Sequence, residues 1–417
     1  MELKLKKNFI DYRYIEQTKL QNKYNIIVCI PVSYEYEYIQ ILIQSLYKLD
    51  KKYLHKTLFI FNINNTKSAS DEVIDNNKKT FKLLSEQNFN FDVLLLKYFD
   101  KDKALDDKNG GVGLARKIAM DNALFLFDYS SEKNVLVCLD ADCIVEPNYI
   151  NEIYDFYKIN NADVAYVNYK HRLDHNIDEI ISYELYLRYY VLALHYANSP
   201  YAFHTIGSTI TCTPQAYIKA EGMNKRKAAE DFYFLQKLAK NFKVHHIKNT
   251  TIYPSDRISH RVPFGTGKAI HNYIEGLQNK YKVYDFEIFK ILKQFLEIFY
   301  NKTLSAEKYL KIFEKIHPEI NVFLNEYKFI QSWDKILNNS KYPEKIQQQK
   351  SIWFDGFMTL KFVHHFDRIL PKSDCFHNYK LLFENLKITF PNNYPNKIDE
   401  KIEFLNFVRD IEKVVKF

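Results

Sequence analysis

The stretch that most constrains this chain is Val135 to Pro147, which reads VLVCLDADCIVEP. The apolar run Val135–Leu139 has the length and β-branched content of a buried strand. It delivers two carboxylates, Asp140 and Asp142, one residue apart. Buried strands of α/β sheets present functional residues at their carboxyl ends. Two carboxylates brought together at such an edge repel each other unless a cation sits between them. A hard divalent ion, Mg²⁺ or Mn²⁺, meets that need, because such ions bind one or two carboxylates together with substrate phosphates. A solvated turn after a strand is the competing reading, since Asp is common in turns.

With 417 residues, two domains and a sizeable core are expected. The formal charge of +8 suits an anionic partner such as a nucleotide, a phosphorylated lipid or a membrane surface. No arginine-rich tract or nucleic-acid motif accompanies it, which excludes a nucleic-acid partner. Cys29, Cys138, Cys143, Cys212 and Cys375 show no CxxC spacing, so zinc is not indicated and free thiols are expected. The start, MELKLKKNFIDYRY, has no apolar signal-peptide region. No apolar stretch reaches membrane-spanning length. A cytoplasmic protein is therefore expected, with any membrane contact peripheral, at the inner face.

Residues 1–24 read as a polar N-terminal extension. A strand, Asn25–Val32, ends at Pro31 and leads into Ser33-Tyr-Glu35. Ile39, Leu42, Ile43, Leu46 and Leu49 recur at helical spacing. Leu58–Ile63 and Phe91–Leu96 read as strands, with a helix from Asp71 to Gln87 between them. This alternation predicts a doubly wound, parallel α/β sheet. The segment Asn109-Gly-Gly-Val-Gly-Leu-Ala-Arg116 places three glycines just before a helix. Glycines there let backbone amides approach a phosphate or sugar, or they simply start a helix. Arg116 on that helix could reach a diphosphate or simply pair with a surface acid.

After the two aspartates come a helix from Tyr149, a strand at Ala162–Asn168 and a long helix from Glu179 to Ala197. A small-residue strand, Thr205–Thr213, carries Gly207. A helix opening near Ala228 places Glu230 and Asp231 in its first turn, where the helix dipole favours ionised carboxylates. From about residue 276 glycine nearly vanishes and apolar residues recur at helical spacing. Residues 25–275 are therefore read as one α/β domain. Residues 276–417 are read as a mostly helical C-terminal domain broken near Pro318, Pro343, Pro371 and Pro391.

In this order the features resemble the glycosyltransferases of the GT-A fold, and within them glycosyltransferase family two. The resemblance covers roughly residues 25 to 270. It implies a Rossmann-like, nucleotide-diphospho-sugar transferase domain using Mn²⁺ or Mg²⁺. The donor is a UDP- or GDP-linked sugar, and the acceptor is a saccharide, glycolipid or small hydroxyl compound in polysaccharide or glycoconjugate synthesis. By the same resemblance Pro31 and Glu35 face the nucleotide, with Asn62 and Asn64 where the family has base-contacting aspartates. Gly111 and Arg116 belong to the donor site. Asp140 and Asp142 match the DxD motif, with Asp142 the direct metal ligand and Asp140 on the sugar or ribose. Gly207 lets acceptor and donor sugar approach the backbone. Glu230 and Asp231 match the late acidic pair, one of which is the general base of an inverting reaction. His260 or His271 would complete the metal site.

Three alternatives stand beside this reading. One is a retaining GT-A enzyme, which needs no such base. Another is a haloacid-dehalogenase-type phosphatase with Asp140 as nucleophile and Asp142 as acid. That motif continues with Gly-Thr, whereas this chain has Cys143-Ile144. The third is a non-catalytic carbohydrate-binding scaffold.

Overall fold

The computed structural model describes residues 9–16, 20, 23–131, 133–258, 265–340, 342–391 and 394–415. The chain divides into two compact units. One runs up to Asn176 and includes Thr205–Ala269; the other comprises Ile177–His204 and the chain from Ile270 onward.

The first unit opens with β1 (Ile26–Val32), α1 (Ile39–Leu46), β2 (Thr57–Asn64), α2 (Asp71–Glu86), β3 (Asp92–Tyr98), α3 (Val112–Ala123) and β4 (Val135–Cys138). These elements follow the alternation expected of a doubly wound sheet. β5 (Ile144–Val145), α4 (Tyr149–Asn160) and β6 (Val164–Tyr169) follow, and α5 (Ile177–Tyr196) leaves for the second unit. The chain returns through β7 (Ile210–Cys212), α6 (Pro214–Lys219), α7 (Glu230–Ala239) and β8 (Val244–Tyr253).

Together the strands form one eight-stranded sheet in the order β3-β2-β1-β4-β7-β6-β8-β5. β2 is buried along its whole length and β1 is buried except at Pro31, as expected for strands covered on both faces. Ile39, Leu42, Ile43 and Leu46 of α1 pack into the same core. The sheet is mixed rather than fully parallel, because β7 runs antiparallel to both β4 and β6. β7 is also shorter than the strand read from the sequence, since Gly207–Thr209 form a 3₁₀ turn.

The position of β1 fixes where a ligand can sit. β1 pairs with β2 on one side and β4 on the other, all parallel. The chain proceeds outward from β1 through β2 to β3 and then crosses back to β4. Between β1 and β4 the direction of winding therefore reverses. Ligands of open α/β sheets bind outside the carboxyl ends of the strands at such a switch point. The turns holding Glu35 and Asp140–Asp142 leave those two carboxyl ends.

The boundary falls within α8 (Thr266–Ile274), and the second unit continues with β9 (Lys282–Val283), α9 (Phe286–Asn301), α10 (Ala306–Ile316), α11 (Pro318–Glu326), α12 (Phe329–Asn339) and α13 (Pro343–Trp353). It ends with α14 (Gly356–Asp367), β10 (Ser373–Asp374), α15 (Cys375–Leu386) and α16 (Ile398–Val414). Pro318 and Pro343 open α11 and α13 at the position where a missing N–H costs nothing. Much of the phenylalanine content lies here: Phe295 packs against Phe313 and Phe354 with ring centroids 4.8 and 4.9 Å apart. No helix among the described residues is long and apolar enough to cross a membrane.

The α/β class with a helical C-terminal region is as expected, but the long helix α5 packs with the helical unit instead of the sheet. A charge network within that unit explains the allegiance. Arg188 of α5 ion-pairs with Glu184 one turn earlier, at 2.7 Å, and with Glu412 of α16. Arg409 of α16 reaches back to both oxygens of Glu184 at 2.7 and 2.9 Å. His204 Nε2 lies 3.0 Å from Glu412. All five side chains are buried. Removing one partner from a buried ion network leaves an uncompensated charge, which costs about 3–5 kcal/mol. Glu184→Gln, which strips a partner from two arginines, is expected to lower unfolding stability by about that amount in denaturant titration. A loss under about 1 kcal/mol, the size of an exposed ion pair, would show that the network does not hold α5 to α16.

Candidate functional site

Asp140 and Asp142 lie in the turn between β4 and β5, closed by a Cys143 N–H to Asp140 carbonyl bond of 3.2 Å. Ala141 and Cys143 are buried, whereas the two aspartates between and before them are partly open. The Asp140 side chain is 34% exposed and that of Asp142 19%.

Each aspartate already has an arginine. Arg116, on the second turn of α3, is 3% exposed and ion-pairs with both Asp140 and Glu230. Burial disfavours its charge, but the two carboxylates more than compensate and hold the guanidinium protonated. Its Nε is buried without a hydrogen-bond partner among the described residues. Arg257, in the loop after β8, binds Asp142 at 2.9 Å and Glu35 at 2.6 Å. Its guanidinium also lies over the Tyr38 ring, 4.1 Å from the centroid. Burial again opposes its charge, and Asp142 and Glu35 outweigh that.

Arg257 is the residue that sequence reasoning missed. β5, two residues after Asp142, pairs antiparallel with the end of β8, matching Ile144 to Tyr253. The loop leaving β8 is thereby returned to Asp142. Nothing short of that long-range pairing identifies Arg257 within its basic, glycine-punctuated loop.

The late acidic pair divides its labour. Glu230 opens α7 and is 4% exposed, facing Arg116. Burial pushes its carboxyl above the ordinary range, against the pull of Arg116. Asp231 is half-buried, and its Oδ1 accepts from the Phe232 N–H at 2.8 Å. Burial raises its carboxyl too, opposed by Arg116 and that N–H.

The glycines permit close approaches within the protein. A Cβ on Gly207 would fall 2.7 Å from Arg116 Cζ, so Gly207 makes room for the guanidinium. A Cβ on Gly113 would fall 2.8 Å from the Asn224 carbonyl, and one on Gly111 3.2 Å from Lys227 Cα. The glycine cluster therefore lets the segment before α7 lie against the start of α3, which brings Glu230 to Arg116. The neighbours of Gly111 and Gly113 are backbone and side-chain atoms of residues 224–230.

Other expected donor residues are also engaged within the fold. Asn62 is fully buried and donates to the Ala115 carbonyl at 2.8 Å, tying β2 to α3. Asn64 donates to the Val32 carbonyl at 3.1 Å. Their amides thus bond within the sheet and to α3. Arg116 is buried and shared by Asp140 and the buried Glu230, not set on a surface acid. Pro31 is partly open on β1, beside Asn62 of β2. His260 lies outside the described residues. His271 is on α8 in the helical unit.

No protein-family model and no curated protein matches the chain. Solved structures are similar at low identity. TarS from S. aureus with UDP-GlcNAc is 13% identical, with 79% of this chain and 90% of that one covered and a TM-score of 0.41. A mannosyltransferase from Pyrobaculum calidifontis, with GDP-Man and Mn²⁺, is 12% identical over 80% and 86% of the two chains, with a TM-score of 0.38. Glucosyl-3-phosphoglycerate synthase from Mycobacterium tuberculosis, with Mg²⁺ and UDP, is 12% identical over 54% and 70%, with a TM-score of 0.33.

Proposed function

We propose that this chain is a metal-dependent glycosyltransferase that moves a sugar from a UDP- or GDP-linked donor to a hydroxyl of a saccharide or glycolipid acceptor, with inversion. The observation that carries the reading is the meeting of two acidic groups at the switch point between β1 and β4. Asp140 and Asp142 are on one side, and Glu230 and Asp231 on the other. Five carboxylates, counting Glu35, stand against Arg116 and Arg257, so the site carries surplus negative charge suited to a divalent cation.

The donor set supports Mg²⁺ or Mn²⁺. It offers hard carboxylate oxygens and no preformed cluster of three His, Cys, Asp or Glu among the described residues. Such ions complete their coordination with diphosphate oxygens and water. Asp142 and Asp140 would hold the ion, and it would stabilise charge on the departing nucleoside diphosphate.

The chain's own residues supply the rest. Arg257, now on Asp142 and Glu35, is within the same cluster and suits an anionic diphosphate. Asp231 takes the proton from the acceptor hydroxyl at its free carboxylate oxygen. The acceptor oxygen bonds to the anomeric carbon as the bond to the diphosphate oxygen breaks, giving inversion. A carboxyl raised by burial is a stronger base for that step than an ordinary aspartate.

A thermal-shift panel of UDP- and GDP-linked sugars tests donor recognition. Stabilisation by at least one nucleotide sugar, dependent on Mn²⁺ or Mg²⁺, is the expected outcome. No shift with any of them, with or without metal, would contradict it.

A further inference from the structure

Arg116 connects two carboxylates 90 residues apart in the chain that serve different steps in the reading above. It offers one buried positive charge to both, with Asp140 at one terminal nitrogen and Glu230 at the other. Gly207 leaves just enough room for the guanidinium and fixes where it lies. Arg116 and Glu230 are both buried, so solvent screens that pair little, whereas Asp140 is 34% exposed and open to a ligand.

We propose that Arg116 is a positioning residue that couples the donor carboxylates to the late acidic pair, because Asp140 and Glu230 compete for its single charge. When Glu230 holds Arg116, Asp140 is freer to engage a metal-bound nucleoside diphosphate. When Glu230 loses its charge, Arg116 turns wholly to Asp140 and neutralises it. The charge of Glu230 thus sets donor affinity, although Glu230 is not itself a donor ligand. Linkage makes the effect reciprocal: a metal-bound donor that takes Asp140 hands Arg116 to Glu230 and its neighbour Asp231. The pull of Arg116 on Glu230, already present without a donor, is then strongest when a donor occupies Asp140.

This inference rests on the donor-site reading, and the test separates the two. Isothermal titration of UDP and GDP into the full chain, with and without Mn²⁺, is run on the wild type, Glu230→Gln, Glu230→Asp and Asp155→Asn. Asp155, a partner of Lys52 and Tyr53, is a control for loss of a carboxylate elsewhere. Glu230→Gln is expected to weaken the Mn²⁺-dependent affinity about tenfold, the typical size of a coupling between linked sites. Its metal-free nucleotide affinity stays unchanged, which damage to the fold would not allow. Glu230→Asp, which keeps the charge with a shorter reach, falls between, and remains informative if the glutamine variant fails to fold. Asp155→Asn stays within about twofold of wild type. Wild-type binding with an unchanged Mn²⁺-dependent affinity in Glu230→Gln would overturn the coupling alone. A wild type that binds neither nucleotide in the presence of Mn²⁺ would overturn the donor-site reading first.

Discussion

Asp142→Asn is expected to remove turnover by about a thousandfold or more, with the fold intact. Asp142 is held outside the core by the turn after β4, and the buried Ala141 and Cys143 on either side of it carry the packing. Replacing its carboxylate by an amide therefore leaves the turn's apolar contacts unchanged. What is lost is an anionic oxygen for a divalent ion and one of the two carboxylates on Arg257, which Glu35 still holds at 2.6 Å. A metal that polarises a leaving phosphate supplies several kcal/mol of transition-state stabilisation. Each 1.36 kcal/mol is worth a factor of ten in rate. The same substitution should abolish Mn²⁺-dependent nucleotide binding while leaving the unfolding transition close to wild type. Normal turnover by the variant in chelator-treated buffer would show that Asp142 carries no metal.

Asp231→Asn is expected to cut turnover by about a hundred- to ten-thousandfold, the usual contribution of a general base. Of the two late acids, Glu230 is committed to Arg116 and buried, whereas Asp231 is half-buried and makes no ion pair with Arg116. Nucleotide affinity should barely change in this variant, since Asp231 does not contact the donor carboxylates. That distinguishes it from Glu230→Gln, whose effect falls on affinity. A dead Glu230→Gln enzyme beside a nearly normal Asp231→Asn enzyme would reverse the two roles. Activity in both would favour a retaining reaction, which needs no such base.

Much of this architecture is legible in the sequence where local periodicity decides. The strand at Val135 with its two aspartates, α1 with its spaced Ile and Leu residues, and the helix breaks at Pro318 and Pro343 all follow from short-range pattern. Pairing across the chain is where reading by pattern stops. Helical spacing marks α5 but does not say which core it joins; that is decided by Arg188 and Glu184 meeting Arg409 and Glu412 more than 200 positions away. Charged residues in a helix ordinarily read as a solvated face, so such a network leaves no local signal. Glycines at 111, 113 and 207 announce close approach, yet the neighbour that approaches is a backbone segment or Arg116, and only the fold names it. Arg257 is hidden for the same reason, because the pairing of β5 with β8 places it.

The most direct measurement of the central claim is release of nucleoside diphosphate from UDP- and GDP-linked sugars by the full chain, with Mn²⁺, with Mg²⁺ and with chelator. Metal-dependent release from at least one donor, lost in Asp142→Asn and strongly reduced in Asp231→Asn, is the predicted result. Release that is indifferent to chelator and survives both substitutions would contradict the account.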